Sequence, residues 1–136
     1  METSEAASGR AYDQAVEYPR PLSDNEAAIL AKLLHDDRFA GAAAYRSQLP
    51  HLTVTGGCSC GCATIDLRVD RGAPVEAGAT GSPLPVEGRT AGTDDADLLI
   101  FAEDGFLTML EIVSYVGDPP PEFPPSDAVE VVSRVG

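Results

Sequence analysis

The sequence predicts an α+β domain, in which an N-terminal helical hairpin packs on a small antiparallel sheet of about four or five strands. Three observations predict this fold. Apolar residues recur at helical spacing after Leu22, and apolar and polar residues alternate from Leu52 onward. A strong two-strand pattern surrounds Asp104 and Gly105. The helices therefore come first in the chain, and the antiparallel strands follow them.

The first helix begins after Ser23, which is spaced to form a capping box with Glu26. Four apolar residues then follow at helical spacing: Ile29, Leu30, Leu33 and Leu34. A second helix is capped by Asp36 or Asp37 and ends before Pro50, because proline disfavours helical geometry in the preceding residue. Two short helices joined tightly predict a helical hairpin that covers another layer.

That layer is predicted to be a sheet. Residues 52–55 and 63–70 alternate between apolar and polar side chains, which is typical of strands with one buried face. A segment rich in glycine and proline follows, and it contains one further strand at residues 84–90. Pro83 and Pro85 restrict this strand to an edge of the sheet, because proline has no N–H to donate.

The strongest pattern lies in residues 97–115, where two apolar runs flank Asp104 and Gly105. This dipeptide favours a two-residue type I′ turn, so the runs form a β-hairpin. Pairing about the turn places Leu99 opposite Leu110. Both faces of the hairpin are largely apolar, which predicts strands in the middle of the sheet or between two layers.

The chain has room for one ordinary domain, since 136 residues match the usual domain size. Residues 1–21 are predicted to be a disordered acidic tail, and residues 22–117 a single α+β domain. Residues 118–136 are predicted to be a proline-rich C-terminal extension, partly packed on the domain. The valines of residues 129–135 predict a short last strand within it.

The charge is strongly negative and uneven. The formal net charge is -13, and the last 50 residues contribute -9 of it. Nucleic acid and anionic membranes are poor partners for such a chain, because both attract basic charge. With no membrane-spanning run and no signal peptide, the sequence predicts a cytoplasmic protein. The leading hypothesis is a non-enzymatic binding protein that recognises a basic protein partner.

Three cysteines form the only chemically unusual segment: Cys58, Cys60 and Cys62. Pairing Val54 with Ile65 predicts a tight hairpin, in which Cys58 points inward, Cys62 points outward and Cys60 lies in the turn. On this register the three thiols are splayed apart. Convergence requires the segment to open into a wider loop, which its three glycines permit at low steric cost.

Three uses of the cysteines are open. Zinc prefers four tetrahedral ligands, so three cysteines need a fourth from His51, His35, Asp66 or another subunit, while soft thiolates also suit copper(I). The thiols could instead exchange disulfides, or pack as small, chemically quiet residues in a reduced cytosol. The metal hypothesis takes four residues as ligands: Cys58, Cys60, Cys62 and His51.

Glu111 is the one candidate catalytic residue. It lies among apolar residues on one strand face, where cover would raise its pKa and suit it to general acid or base chemistry. The competing interpretation is a structural ion pair with a nearby arginine. No hydrolase triad, HExxH pattern, dinucleotide-binding pattern or P-loop is present, and Lys32 is the only lysine. The sequence therefore favours a protein that is not an enzyme.

Two segments carry a resemblance: LTVTGGCSCGCATIDLRVD and DGFLTMLEIVSYVGDPPPEFP. They resemble a family of small uncharacterised bacterial proteins from high-GC genomes. That family is marked by a short helical N-terminal part, a Cys-x-Cys-Gly-Cys hairpin and an Asp-Gly hairpin that ends in Leu-Glu-Ile. The resemblance spans roughly Leu22 to Pro125 and implies the order of elements given above. It implies no activity, cofactor or catalytic residue.

Overall fold

The computed structural model describes residues 17–35, 42–78, 86–90, 96–115, 117 and 120–134. It confirms an α+β protein with two short helices and an antiparallel sheet. The helices are α1 (Asp24–Leu33) and α2 (Ala42–Gln48). The strands are β1 (Leu52–Gly57), β2 (Ile65–Val69), β3 (Val86–Thr90), β4 (Ala96–Glu103), β5 (Phe106–Ser114) and β6 (Val129–Arg134).

Within the described residues, the six strands form one antiparallel sheet in the order β1-β2-β5-β4-β3-β6. The sequence predicts about four or five strands, so the sheet is wider than expected. The β4–β5 hairpin lies at its centre, as the apolar character of both strand faces suggests. The β1–β2 hairpin, which carries the cysteines, forms one end of the sheet.

Helix α1 begins as the sequence predicts. The Ser23 hydroxyl accepts the N–H of Glu26, and the Glu26 carboxylate accepts the N–H of Ser23, which completes the capping box. The four predicted apolar residues are all fully buried: Ile29, Leu30, Leu33 and Leu34. The connection to α2 falls in residues 36–41, outside the described residues, and with it the predicted caps Asp36 and Asp37. No helix in the described part of the chain is long and apolar enough to cross a membrane.

The core lies between the helices and one face of the sheet. Helix α1 contacts β3 and β6, while α2 contacts β5. Fully buried residues of the sheet include Val54, Leu98, Ile100 and Leu110. Gln48, at the end of α2, is also fully buried and makes three hydrogen bonds. Its amide N–H₂ donates to the carbonyls of Glu76 and Gly105, both at 2.8 Å, and its Oε1 accepts the N–H of Leu107 at 3.0 Å.

The central hairpin turns at the predicted dipeptide. Asp104 and Gly105 have φ angles of 54° and 86°, the positive values that a type I′ turn requires at both central residues. The predicted pairing of Leu99 with Leu110 is wrong by one residue, because a bulge interrupts the ladder between Phe101 and Ala102. Beyond the bulge, Leu99 pairs with Glu111 instead. A bulge adds one unpaired residue, so it shifts the register of every later pair.

Strand β3 differs from its predicted position. It pairs with β4 on one side and with β6 on the other, so it lies inside the sheet and not at an edge. The strand begins at Val86, and the prolines that suggested an edge precede it, outside the described residues. With no proline within it, every residue of β3 has an N–H to donate.

The structured domain extends beyond both predicted boundaries. Arg20 exchanges backbone hydrogen bonds with Val54, at 2.8 and 3.0 Å, and its guanidinium forms a salt bridge with Glu26 at 2.9 Å. Residue 20 of the predicted tail therefore belongs to the fold, and residues 1–16 lie outside the described part. At the other end, β6 is a full member of the sheet and not an extension.

Candidate metal centre

The three cysteines lie in the loop that joins β1 to β2. The N–H of Cys58 donates to the carbonyl of Thr64 at 3.3 Å and closes the base of the loop. Inside the loop, the N–H of Gly61 donates to the carbonyl of Cys58 at 3.1 Å and forms a tight turn. Gly61 has a φ of +90°, which glycine adopts without a steric penalty. The loop therefore folds back on itself around Gly61.

This turn brings the three thiols together. Their Sγ atoms all lie within 4.8 Å of one another, and the Sγ atoms of Cys58 and Cys60 are 2.7 Å apart. All three are free thiols, with Cys58 and Cys60 exposed and Cys62 half-buried. Zn–S bonds of about 2.3 Å in a tetrahedral site place two sulfur ligands about 4 Å apart. The upper limit of 4.8 Å is compatible with ligands of one metal ion, and the Cys58 and Cys60 sulfurs must separate from 2.7 Å to about 4 Å when they bind it.

Backbone groups also face the sulfurs. The N–H of Cys60 donates to the Sγ of Cys58, and the N–H of Cys62 donates to the Sγ of Cys60, each at 3.4 Å. Such bonds favour the negative form of the acceptor, because the donor carries a partial positive charge. A backbone N–H directed at a sulfur also suits a metal-bound thiolate, which carries negative charge.

The thiols differ in their readiness to lose a proton. A hydrogen bond with Cys58, and a second with Cys62, raise the pKa of Cys60 to about 11. Burial raises the pKa of Cys62, but hydrogen bonds from the side chain and backbone of Thr64 and from the other two thiols outweigh it. Together they lower that pKa to about 7. Cys62 therefore loses its proton before Cys60.

Two contacts from distant parts of the chain hold the loop. The N–H of Ala63 donates to the carbonyl of Pro120 at 2.9 Å. The Thr64 hydroxyl accepts the N–H of Ile112, on β5, at 3.1 Å. The cysteine pattern alone indicates the site, and no local signal marks Thr64 or Pro120 as its supports. Both contacts join residues far apart in sequence, so only the fold shows them.

The predicted splaying of the thiols is wrong. Val54 pairs with Leu67 and not with Ile65, and a bulge between Val54 and Gly56 moves the end of the ladder to Gly57 and Ile65. Residues 58–64 are left as a wide loop in place of a tight turn. This is the open arrangement that convergence requires, and the glycines before and between the cysteines permit it.

The histidines are not brought to the cluster. Among the described residues, the metal-ligating group consists of the three cysteines alone. The carbonyl of His51 accepts the N–H of Asp70, at the end of β1 opposite the loop, about 20 Å away along a six-residue strand. His35 follows α1, and the Asp66 carboxylate lies beside Gly56, where an added Cβ would be 3.0 Å from it. The predicted ligand set therefore reduces to three sulfurs.

Glu111 is placed on β5, where it pairs with Leu99. Its side chain is half-buried on the face of the sheet that points away from the buried core residues Leu110 and Ile112. Glu111 does not line the clefts beside Arg71, Glu122 or Tyr18 in the described part of the chain. A catalytic role for Glu111 stays a prediction.

Comparisons with known proteins found no match: no family model, no curated protein and no solved structure is significantly similar to the chain. The functional argument therefore rests on the residues themselves. The cysteine loop is the feature whose chemistry is most specific, because it gathers three soft ligands within 4.8 Å of one another.

Proposed function

We propose that this protein binds one soft metal ion through Cys58, Cys60 and Cys62, and that copper(I) is its preferred ion. The observation that carries the proposal is the approach of the three Sγ atoms to within 4.8 Å of one another. Thiolates are soft ligands that select copper(I), zinc or iron–sulfur clusters over hard cations. The negative net charge of the chain adds a field that attracts cations.

The number of ligands favours copper(I) over zinc. Structural zinc sites are almost always four-coordinate, with every position filled by a protein side chain. In the described residues no histidine or carboxylate joins the three sulfurs, so zinc would need a fourth ligand from solvent or a partner. Copper(I) takes soft thiolate ligands and does not depend on a fourth one from the protein.

The exposure of two thiols and the ionisation of the third are consistent with metal binding. Cys58 and Cys60 are exposed, so an ion reaches them without a change in the fold. Cys62 is partly a thiolate at neutral pH, since its pKa is about 7. The other thiols lose their protons as the ion binds, because metal ligation requires the deprotonated form. The affinity for the metal therefore rises with pH.

An anaerobic competition titration tests the proposal. The reduced protein is titrated with copper(I) against a coloured copper(I) chelator, and the bound metal per chain is measured. We expect one copper(I) per chain, and a loss of affinity of at least tenfold in C58S, C60S and C62S. Ser59→Ala is the matched control, because Ser59 lies in the same loop and is not a ligand.

Three outcomes would contradict the proposal: less than stoichiometric copper(I), no loss in the cysteine variants, or an equal loss in Ser59→Ala. A parallel titration with zinc checks the preference between the two ions. Zinc that competes with copper(I) at equal concentration would replace copper(I) as the assigned metal.

Disulfide exchange is a second candidate function, favoured by the 2.7 Å approach of the Cys58 and Cys60 sulfurs. The two thiols would lose two protons and two electrons to a small disulfide, which is reduced to two thiols as a Cys58–Cys60 disulfide forms. Incubation of the metal-free protein with oxidised glutathione tests this. A loss of about 2 Da that C58S abolishes supports it, whereas a product that keeps three titratable thiols excludes it.

The hypothesis of a basic protein partner stays a prediction. Its support is the charge of the last 50 residues, which contribute -9 of the net -13. Pull-down from the host at two salt concentrations tests it, because a complex held by charge dissociates at high ionic strength. A partner retained equally at both concentrations would contradict an electrostatic interface.

A further inference from the structure

A cleft of about 680 Å³ opens on the sheet face opposite the helices, at the end of the sheet that carries the β1–β2 hairpin. It is separate from the cysteine loop and shares no residue with it. Its lining includes two arginines, two threonines and one aromatic ring: Arg68, Arg71, Thr53, Thr108 and Phe106. The cleft has the size of ordinary small-molecule sites, which range from about 300 to 1,000 Å³.

The two arginines set this cleft apart from the rest of the molecule. The whole chain has nine basic residues against 22 acidic ones, yet two of the nine line one cleft. Among the described residues, neither guanidinium forms a salt bridge with a carboxylate. Both side chains are exposed, so their donors face the cleft and solvent and are open to a ligand.

Each arginine is positioned by a neighbour. The guanidinium carbon of Arg71 lies 3.9 Å from the centre of the Phe106 ring, so the cation stacks on the aromatic face. Stacking uses the flat face of the guanidinium and leaves its N–H edge free for a ligand. Arg68 pairs across the ladder with Thr53, which places the two side chains on the same face of the sheet.

One carboxylate also lines the cleft. Asp70 accepts the N–H of Gly72 through its Oδ1 at 3.0 Å, so one of its oxygens is engaged in the turn after β2. The two arginines outnumber this single negative charge. The local charge of the cleft is therefore positive in a protein whose net charge is strongly negative.

The geometry points to a binding site for a small organic anion, one that carries a phosphate or carboxylate group next to an apolar part. Arginine presents paired N–H donors that match the oxygens of either group, and the threonine hydroxyls add further donors. Phe106 offers the adjoining apolar surface. Inorganic phosphate alone would occupy only a small part of the cleft, so the ligand is an ester or an organic acid.

A neighbouring cleft of about 450 Å³ extends the site. It is lined by Tyr18, Pro19, Thr53, Thr55 and Arg68, so Thr53 and Arg68 belong to both clefts. Arg68 therefore borders both clefts. A ligand with its anionic group on Arg68 could extend into either of them.

A titration followed by ¹H–¹⁵N NMR tests this site. The probes are phenyl phosphate, benzoate and uncharged phenol, which share a ring and differ in the charged group. We expect one or both anions to shift the amide signals of residues 53, 68–71 and 106–108, with little effect from phenol. The anion that binds more tightly identifies the group that the cleft prefers.

Variants then assign the effect to the arginines. Arg68→Ala and Arg71→Ala should each weaken binding about tenfold, since a hydrogen bond to a charged group is lost. Arg71→Lys keeps the charge but loses the paired donors, so it should show a smaller loss. Lys32→Ala is the control for net charge, because Lys32 is exposed and bonds only to the carbonyl of Ser126.

Several results would overturn the inference. They are an absence of binding by both anions, equal binding of phenol, shifts confined to other residues, or arginine variants that bind like Lys32→Ala. The spectra of the unbound variants show whether each one is folded. The cysteine loop takes no part in these measurements, so their outcome is independent of the metal proposal.

Discussion

Gly61 is the residue on which the arrangement of the cysteine loop depends most. Its φ of +90° lies in the region that residues with a side chain avoid. A Cβ added at this position would meet no atom within 4 Å, so the substitution Gly61→Ala introduces no clash. Its effect is therefore conformational alone, and it costs about 1–2 kcal/mol if the loop keeps its shape.

This cost appears in the affinity for the metal. The substituted loop relaxes to a negative φ when it is empty, and it must return to the convergent shape to place three sulfurs on one ion. The binding free energy therefore falls by about 1–2 kcal/mol, which corresponds to a roughly 5- to 30-fold weaker affinity for copper(I). Gly61→Asn should lose less, because asparagine tolerates positive φ better than alanine.

The assay is the anaerobic chelator competition, applied to the wild type, Gly61→Ala, Gly61→Asn and Gly72→Ala. Gly72 is the matched control, because it lies in the turn after β2 and its added Cβ would make an ordinary 3.4 Å contact with Asp70. Unchanged affinity in Gly61→Ala would refute the reasoning. An equal loss in Gly72→Ala would refute it as well.

Three further predictions concern the core and the thiols. Gln48→Leu leaves the N–H of Leu107 buried without a partner, so the free energy of unfolding should fall by about 1–3 kcal/mol. Unfolding in urea measures this change, and an unchanged urea midpoint would contradict it. Iodoacetamide should label Cys62 before Cys60 at pH 8. The labelling rate at Cys62 should decrease when the pH drops below about 7, because its thiolate is then protonated. Equal labelling rates at the two cysteines in peptide mass maps would contradict this order of pKa values. Thr64→Val removes a hydroxyl that stabilises the Cys62 thiolate, so the pH midpoint of Cys62 labelling should move upward. An unchanged midpoint would show that the hydroxyl has no such effect.

Much of the fold is predictable from local signals. The capping box of Ser23 and Glu26 and the helical spacing of the buried leucines define α1, and Asp104-Gly105 defines the central turn. These features depend on residues close together in the chain, where propensity and periodicity operate. They are therefore visible in a single sequence.

Other features depend on contacts between distant segments. The bulges at Val54 and Phe101 shift two registers, and no composition signal marks either of them. Strand β3 is internal because β6 returns from the end of the chain to pair with it. Arg20 belongs to the domain because it bonds to Val54 and Glu26. Pairings of this kind are set by the tertiary fold and not by local pattern.

The sequence predicts the three cysteines of the candidate site but not their arrangement. The three cysteines stand out by spacing and by the glycines around them, and the structure places them together. Their convergence could not be deduced, because it depends on the pairing of Val54 with Leu67, which leaves residues 58–64 as a wide loop. His51 lies near the cysteines in sequence, whereas β1 separates it from the loop by its full length. The arginine cleft gave no signal in sequence, since its residues come from three strands and a turn.

X-ray absorption at the edge of the bound metal tests the central claim most directly. The copper(I)-loaded protein should show one shell of three sulfur ligands per ion, supplied by Cys58, Cys60 and Cys62. C60S should reduce the shell to two sulfurs or leave the protein without metal. A shell of nitrogen or oxygen ligands in the wild type, or a sulfur shell that C60S leaves unchanged, would contradict the account.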